Sequence, residues 1–152
     1  MFSFNPIAVA FNERITIEDD NWGKVVSKII LDDSNPEDSI NGIEAYSHLE
    51  IIYFFHKVEK NKIVSGARHP RNDETLPKVG IFAQRGKNRP NRLGLTTVKL
   101  LKRQGKVLFV LGLDCINGTP IVDIKPVMKE FMPKEPIQQP LWSHEIMKNY
   151  WK

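Results

Sequence analysis

Seven short runs rich in apolar and β-branched residues recur along the chain, each cut off by glycine, proline, asparagine or a charged cluster. They are PIAVAF at 6–11, VVSKIIL at 25–31, HLEIIYFFH at 48–56, KVGIFA at 78–83, LTTVKLL at 95–101, KVLFVLGL at 106–113 and IVDIKP at 121–126. Runs of this length and composition fit strands better than helices. KRQG at 102–105 reads as a hairpin turn, and NGTP at 117–120 carries the turn dipeptide Asn-Gly. Helical signals are confined to 37–47 and to SHEIMKNYW at 143–151, where Ser143 is the expected N-cap. This pattern predicts a mainly β domain, either a barrel or a strongly curved sheet, with one or two short peripheral helices. A doubly wound α/β fold is disfavoured, and no two of the nine glycines stand two residues apart, so the dinucleotide fingerprint is absent.

A chain of 152 residues suffices for one domain with a real core, and it is read as one unit over 1–152. No apolar run approaches a bilayer span, and the start has neither a basic lead nor a cleavage-like site, so the expected location is cytoplasmic. Cys115 is the single cysteine, which excludes an internal disulfide, and the four histidines show no metal-ligand spacing; no metal is expected. Charge is polarised along the chain. Residues 1–60 hold 5 basic and 11 acidic side chains, a net of −6, while 61–152 hold 17 and 7, a net of +10. No acid occurs between Glu74 and Asp114, where nine lysines and arginines fall. Such an asymmetry suits a polyanionic partner, nucleic acid above all, or else a solvated cationic face.

Three stretches carry the residue types that chemistry needs. GIFAQRGKNRPNRLG at 80–94 packs three arginines and a lysine around Pro90, which fixes its own backbone and restricts Arg89. Arginine forks on a stiffened loop bind phosphates and carboxylates in pairs, so the stretch reads as an anion site or as an exposed loop serving solubility. It is no phosphate loop of the ATPase type, because five residues separate Gly80 from Gly86 where that loop needs four, and Asn88 replaces the serine or threonine. LDCINGTPIVDIKP at 113–126 places Asp114, Asp123 and Lys125 around a turn, for function or for turn chemistry alone. GIEAYSHLEIIYFFHKVEK at 42–60 sets His48 and His56 at the two ends of an apolar strand. Cys115 reads as a buried small residue and not a nucleophile.

Taken in chain order, 42–60, 80–94 and 113–126, and with RHPR at 68–71 between the first and second, these three stretches resemble the TrmO-like (TsaA-like) tRNA methyltransferases over roughly residues 40–126. NPIAVAFNE at 5–13 is similar to the family's first strand, which leaves 127–152 as a tail with a short helix and no further C-terminal domain expected. The resemblance implies a compact β-barrel that works as a homodimer and binds S-adenosylmethionine without a Rossmann fold. It also implies methyl transfer to the exocyclic amino nitrogen of a threonylcarbamoyl-modified adenosine beside the anticodon of tRNA. Carried onto matching positions, the cofactor contacts are His56, Lys57, Arg85, Asn117, Gly118, Thr119 and Pro120, with packing from Leu95 or Thr97 and a contribution from Trp22 and Gly23. An amide-like nitrogen reacts once its proton is accepted, for which Asp114 and Asp123 are the candidates, with Asn91 as an orienting group. Arg68, Arg71, Arg89, Arg92 and Lys125 are the expected contacts to RNA or to the threonylcarbamoyl carboxylate. Arg92 stands where the family commonly has proline, and Asn117 where aspartate is common. Two other functions fit the same residues: a non-catalytic RNA-binding module, and a methyltransferase for a small molecule.

Overall fold

Strict alternation of buried and exposed side chains marks most strands of the computed structural model, which describes residues 1–152. In β2 (Val26–Leu31), Ser27, Ile29 and Leu31 are buried; in β3 (His48–Phe54), Leu49, Ile51 and Tyr53 are. A strand with one apolar face must lay it on a core. Here the sheet closes on itself to do so. The order is β1 (Ala8–Phe11), β2, β7 (Val107–Leu111), β6 (Leu93–Gln104), β3 and β8 (Pro120–Pro126), with β8 pairing back onto β1 and every pair antiparallel. Closure leaves no open edge on the main sheet. The interior is filled by Ala8, Ala10, Ile29, Leu49, Ile51, Val98, Leu108, Val110 and Ile121. Two alanines on β1 leave room for the branched side chains opposite, as a small barrel requires. Irregularities at Ile52/Tyr53 and at Leu100/Lys102 shift the register of β3 and β6 against their neighbours, which bends a strand locally.

The expected mainly β barrel is therefore what the chain forms, while several local expectations need correction. KVGIFA is no core strand: it gives two residues of β5 (Val79–Gly80), paired with β4 (Ala67–Arg68) in a separate small sheet, then a 3-10 turn at Ile81–Ala83. The helix expected at 37–47 is split into two 3-10 turns, Glu37–Ile40 and Ile43–Ala45, by Gly42 at φ +87°. Arg103 on β6 ties both turns down, with its guanidinium 3.0 Å from Glu44 and 3.6 Å from Glu37 and donating to the Ile40 carbonyl at 3.2 Å. β6 runs through KRQG as far as Gln104, so the turn itself is Gly105 (φ +57°) with Lys106. The C-terminal helix α1 spans Leu141–Met147, beginning two residues before Ser143. Pro140 is its cap residue, and the Ser143 hydroxyl donates back to the Pro140 carbonyl at 2.6 Å from inside the first turn. Seven residues make a marginal helix by themselves. What holds it is the segment beyond: the Asn21 and Trp22 amides donate to the carbonyls of Asn149 and Tyr150, at 3.1 and 2.8 Å. No helix is long and apolar enough to cross a membrane.

Candidate active site

A cavity of about 840 Å³ opens where the 80–94 loop, the residues after β3, the Asp114–Thr119 segment and the C-terminal tail meet. At its base is a carboxylate held by hydroxyls from three separate parts of the chain. Asp114 Oδ1 accepts from the Tyr53 hydroxyl at 3.0 Å and from the Thr96 hydroxyl, and its Oδ2 accepts from the Tyr150 hydroxyl. A carboxylate can only accept, so the hydroxyls must donate. Burial, followed by the negative charge of Asp114, raises the Tyr53 phenol well above its ordinary value and pushes Tyr150 up in the same way. Both remain protonated donors at physiological pH. The Tyr53 ring reaches Asp114 by crossing directly over Gly94: a Cβ there would lie 2.4 Å from the ring carbons. Glycine is thus required for steric reasons on a strand that otherwise favours branched residues.

The arginine-rich loop is folded by its own cations. Arg89 donates to the Gln84 carbonyl at 2.8 Å and to the Gly86 carbonyl at 3.3 Å, and Arg85 donates to the Leu95 carbonyl. Arg92 has φ +51°, a value closed to the proline that the family resemblance leads one to expect there. Its guanidinium donates to the Val58 carbonyl at 2.9 Å and lies 4.7 Å from the Phe54 ring centroid. Arg71, also left-handed at φ +55°, pairs with Asp20 at 3.0 Å, and Arg68 donates to Asn72 at 2.6 Å. Each guanidinium uses part of its fork on the protein and leaves the rest for an anion.

Ten of the predicted site residues gather on this one cavity: His56, Lys57, Arg68, Arg71, Arg85, Arg89, Leu95, Thr97, Asp114 and Thr119. Trp22 also lines it, buried beneath the Arg14 guanidinium at 3.9 Å, while Gly23 lies against the Trp151 carbonyl. The others stand apart. Asn117 holds the turn, accepting from the Asn12 amide at 3.0 Å, and Gly118 at φ +86° closes it beside the His56 imidazole. Pro120 begins β8 and pairs with Val9. Asn91 and Arg92 lie outside the cavity lining. Asp123 forms an exposed pair with Lys125 at 3.4 Å and borders a second, smaller cavity of about 460 Å³. Asp114 and Asp123 are therefore not brought to a common point.

Burial, and then the charge of Lys57, lowers the His56 imidazole below its ordinary value, so that it is neutral at physiological pH. Burial pushes the Cys115 thiol up to about 12, which suits a packed side chain and not a nucleophile. Sequence reasoning missed Tyr53, Thr96 and Tyr150 altogether, together with the tail residues Trp142, Ile146, Met147 and Trp151 that wall the cavity. The alternation of β3 and β6 marks Tyr53 and Thr96 as inward-facing. Nothing local joins them to a tyrosine near the C-terminus.

Comparison with known proteins places this arrangement. Residues 11–132 match the tRNA-methyltransferase O N-terminal domain family. A human protein named tRNA (adenine(37)-N6)-methyltransferase is 36% identical over 116 residues, covering 76% of this chain and 26% of that one. A Pyrococcus abyssi protein named as a probable S-adenosyl-L-methionine-binding protein is 35% identical over 102 residues, 66% of this chain and 52% of that one. The crystal structure of TrmO from Pseudomonas aeruginosa superimposes with a TM-score of 0.74 at 20% identity, over 93% of this chain and 62% of that one, and so shares the fold. The chain spans about a quarter of the human relative and about half of the archaeal one. With the family match extending from the end of β1 past β8, the chain belongs to the tRNA-methyltransferase O N-terminal domain family.

Proposed function

We propose that this chain binds S-adenosylmethionine in the 840 Å³ cavity and methylates the exocyclic amino nitrogen of threonylcarbamoyl-modified adenosine beside the anticodon of tRNA. The observation that carries the reading is convergence: residues from three separated motifs, His56–Lys57, Arg85–Arg89 and Asp114–Thr119, face a single cavity. Its volume lies within the range of about 300–1,000 Å³ usual for small-ligand sites. Its chemistry also suits the donor. Tyr150 and Trp151 offer aromatic faces to a sulfonium cation and a purine, and Lys57, Arg68 and Arg85 offer donors to a carboxylate. Gly118 leaves the turn open beside His56, where a Cβ would stand 4.0 Å from the imidazole Nε2.

Bound S-adenosylmethionine supplies an electrophilic methyl group, and the protein's contribution is positioning and exclusion of water. Asp114 serves as the fixed anchor of the site. Hydroxyl donors already occupy both its oxygens and hold the carboxylate in place. His56, neutral and on the cavity wall, is the better placed group to receive the proton that leaves the acceptor nitrogen. The unused guanidinium donors of Arg68, Arg71 and Arg89 hold phosphates or the threonylcarbamoyl carboxylate. Phe82, 76% exposed, and Leu95, 46% exposed, form an apolar rim that a second copy would cover in a homodimer. The test pairs calorimetric titration with S-adenosylmethionine and a methyl-transfer assay on threonylcarbamoyl-modified tRNA. Wild type is expected to bind at one site per chain, and Arg85→Ala to lose at least tenfold in affinity and in transfer. Full turnover in Arg85→Ala, or no uptake by wild type, would remove the cavity from the reaction.

A further inference from the structure

Outside the barrel, away from the residues that line the cavity, four neighbouring strands align an alternating row of aromatic and cationic side chains. Phe11 on β1 stands opposite Lys28 on β2, Lys28 opposite Phe109 on β7, and Phe109 opposite Lys102 on β6. The flanking positions Ala10, Ser27, Ile29, Leu108 and Val110 are buried, so Phe11, Lys28 and Phe109 face outward. Both ammonium groups converge on one ring, Lys28 Nζ at 5.5 Å and Lys102 Nζ at 4.5 Å from the Phe109 centroid. Lys99, opposite Leu111 in the next row, adds a third cation. None of the three joins any of the five ion pairs of the molecule, and none of the four strands contains an acidic residue. Two like charges over one ring repel each other, and an anion between them would relieve that repulsion. Phe11, 41% exposed, sits beside them with nothing stacked on it in the chain's own aromatic pairs.

We infer that this face is a binding platform for single-stranded RNA, with a backbone phosphate seated between Lys28 and Lys102 and a base stacked on Phe11. Phe11 and Phe109 are two strands apart, about 10 Å at the usual spacing. An aromatic surface interleaved with cations is the arrangement that takes unpaired nucleotides without reading their sequence. A duplex fits less well, because its bases are already stacked and cannot use Phe11. The platform goes beyond the methyl-transfer reading and does not depend on it.

The test is a titration of the full chain with a short fluorescent oligouridine, with no methyl donor present, across about 50 to 200 mM salt. Lys28→Gln/Lys102→Gln is expected to weaken binding at least tenfold and to flatten the logarithmic salt dependence by about 0.7, the value for one lost phosphate contact on a single strand. Phe11→Ala should weaken binding at least fivefold with the salt dependence unchanged, since stacking releases no counterions. Thermal melts of both variants, expected to match wild type, separate lost binding from lost folding. Wild-type affinity in the double variant overturns the platform. So does a double variant whose sedimentation shows lost self-association with RNA affinity intact, which would assign the face to a second copy. A chain that binds oligouridine here and takes up no S-adenosylmethionine would keep the platform and defeat only the methyl-transfer reading.

Discussion

Replacing Gly94 by alanine tests how the base of the cavity is built. The new Cβ would lie 2.4 Å from two ring carbons of Tyr53 and 2.9 Å from its hydroxyl, where ordinary contact begins at 3.4 Å, so the ring must retreat by 3.4 − 2.4 = 1.0 Å. Tyr53 is 2% exposed and packed in the core, and its hydroxyl is 3.0 Å from Asp114 Oδ1. A retreat of that size takes the hydrogen bond beyond any useful length. Overpacking of a core position costs about 1–3 kcal/mol, and a hydrogen bond to a charged group contributes about 1.5–3 kcal/mol. We therefore expect Gly94→Ala to destabilise the fold by about 2.5–6 kcal/mol, a large share of the roughly 5–15 kcal/mol typical of a domain. Urea denaturation at constant m-value reads this as a lower midpoint. In a Tyr53→Leu background the same substitution should cost under about 1 kcal/mol, because the obstructing ring is gone. A loss below about 1 kcal/mol in the wild-type background, or an equal loss in both backgrounds, would refute the packing argument.

Three further outcomes follow from the same geometry. Gly23→Ala would set a Cβ 1.9 Å from the Trp151 carbonyl oxygen, which is backbone and cannot swing aside; the tail should detach, and residues 141–152 should gain fast hydrogen exchange and proteolytic cleavage while the barrel strands stay protected. Cys115, its thiol pushed up to about 12 by burial, should resist alkylation at pH 8 in the native protein and react at once in denaturant; equal rates in both would contradict its placement. His56 has a folded pKa below its unfolded value, so the unfolded chain binds the extra proton first. Stability from this group is complete above about pH 6.5 and declines as pH falls through the lower folded value; His56→Gln should flatten that part of a stability-versus-pH curve.

Much of the barrel was legible because its strands are short apolar, β-branched runs cut off by turn residues, such as HLEIIYFFH at 48–56 for β3; which face of that run is buried, Leu49, Ile51 and Tyr53, is decided only when the sheet closes. Errors fell where a short segment follows tertiary demands. GIFA has strand composition, but Gln84 donates its side-chain amide to the carbonyls of Arg68 and Val79, at 2.9 and 3.0 Å, and turns the chain into the cavity wall. At the cavity the motifs revealed which residues would gather, because each brings its own turn or strand end. The Asp114 clasp stayed hidden, since Tyr53, Thr96 and Tyr150 come from positions up to 61 residues away from it and meet only when the barrel closes and the tail folds across. Asp123 misled for the opposite reason: it is nine residues from Asp114 in sequence, yet borders a different cavity.

Uptake of the methyl donor by one cavity, walled by the arginine loop, the residues Asp114 and Thr119 on either side of the Asn-Gly turn, and the C-terminal tail, is the proposal on which the rest depends. A crystal structure of the full chain grown with S-adenosylmethionine tests it most directly. Ligand density is expected between His56, Arg85 and Thr119, with Tyr150 still on Asp114. Density at any other place on the barrel, or a saturating concentration that leaves this cavity to solvent alone, would contradict it.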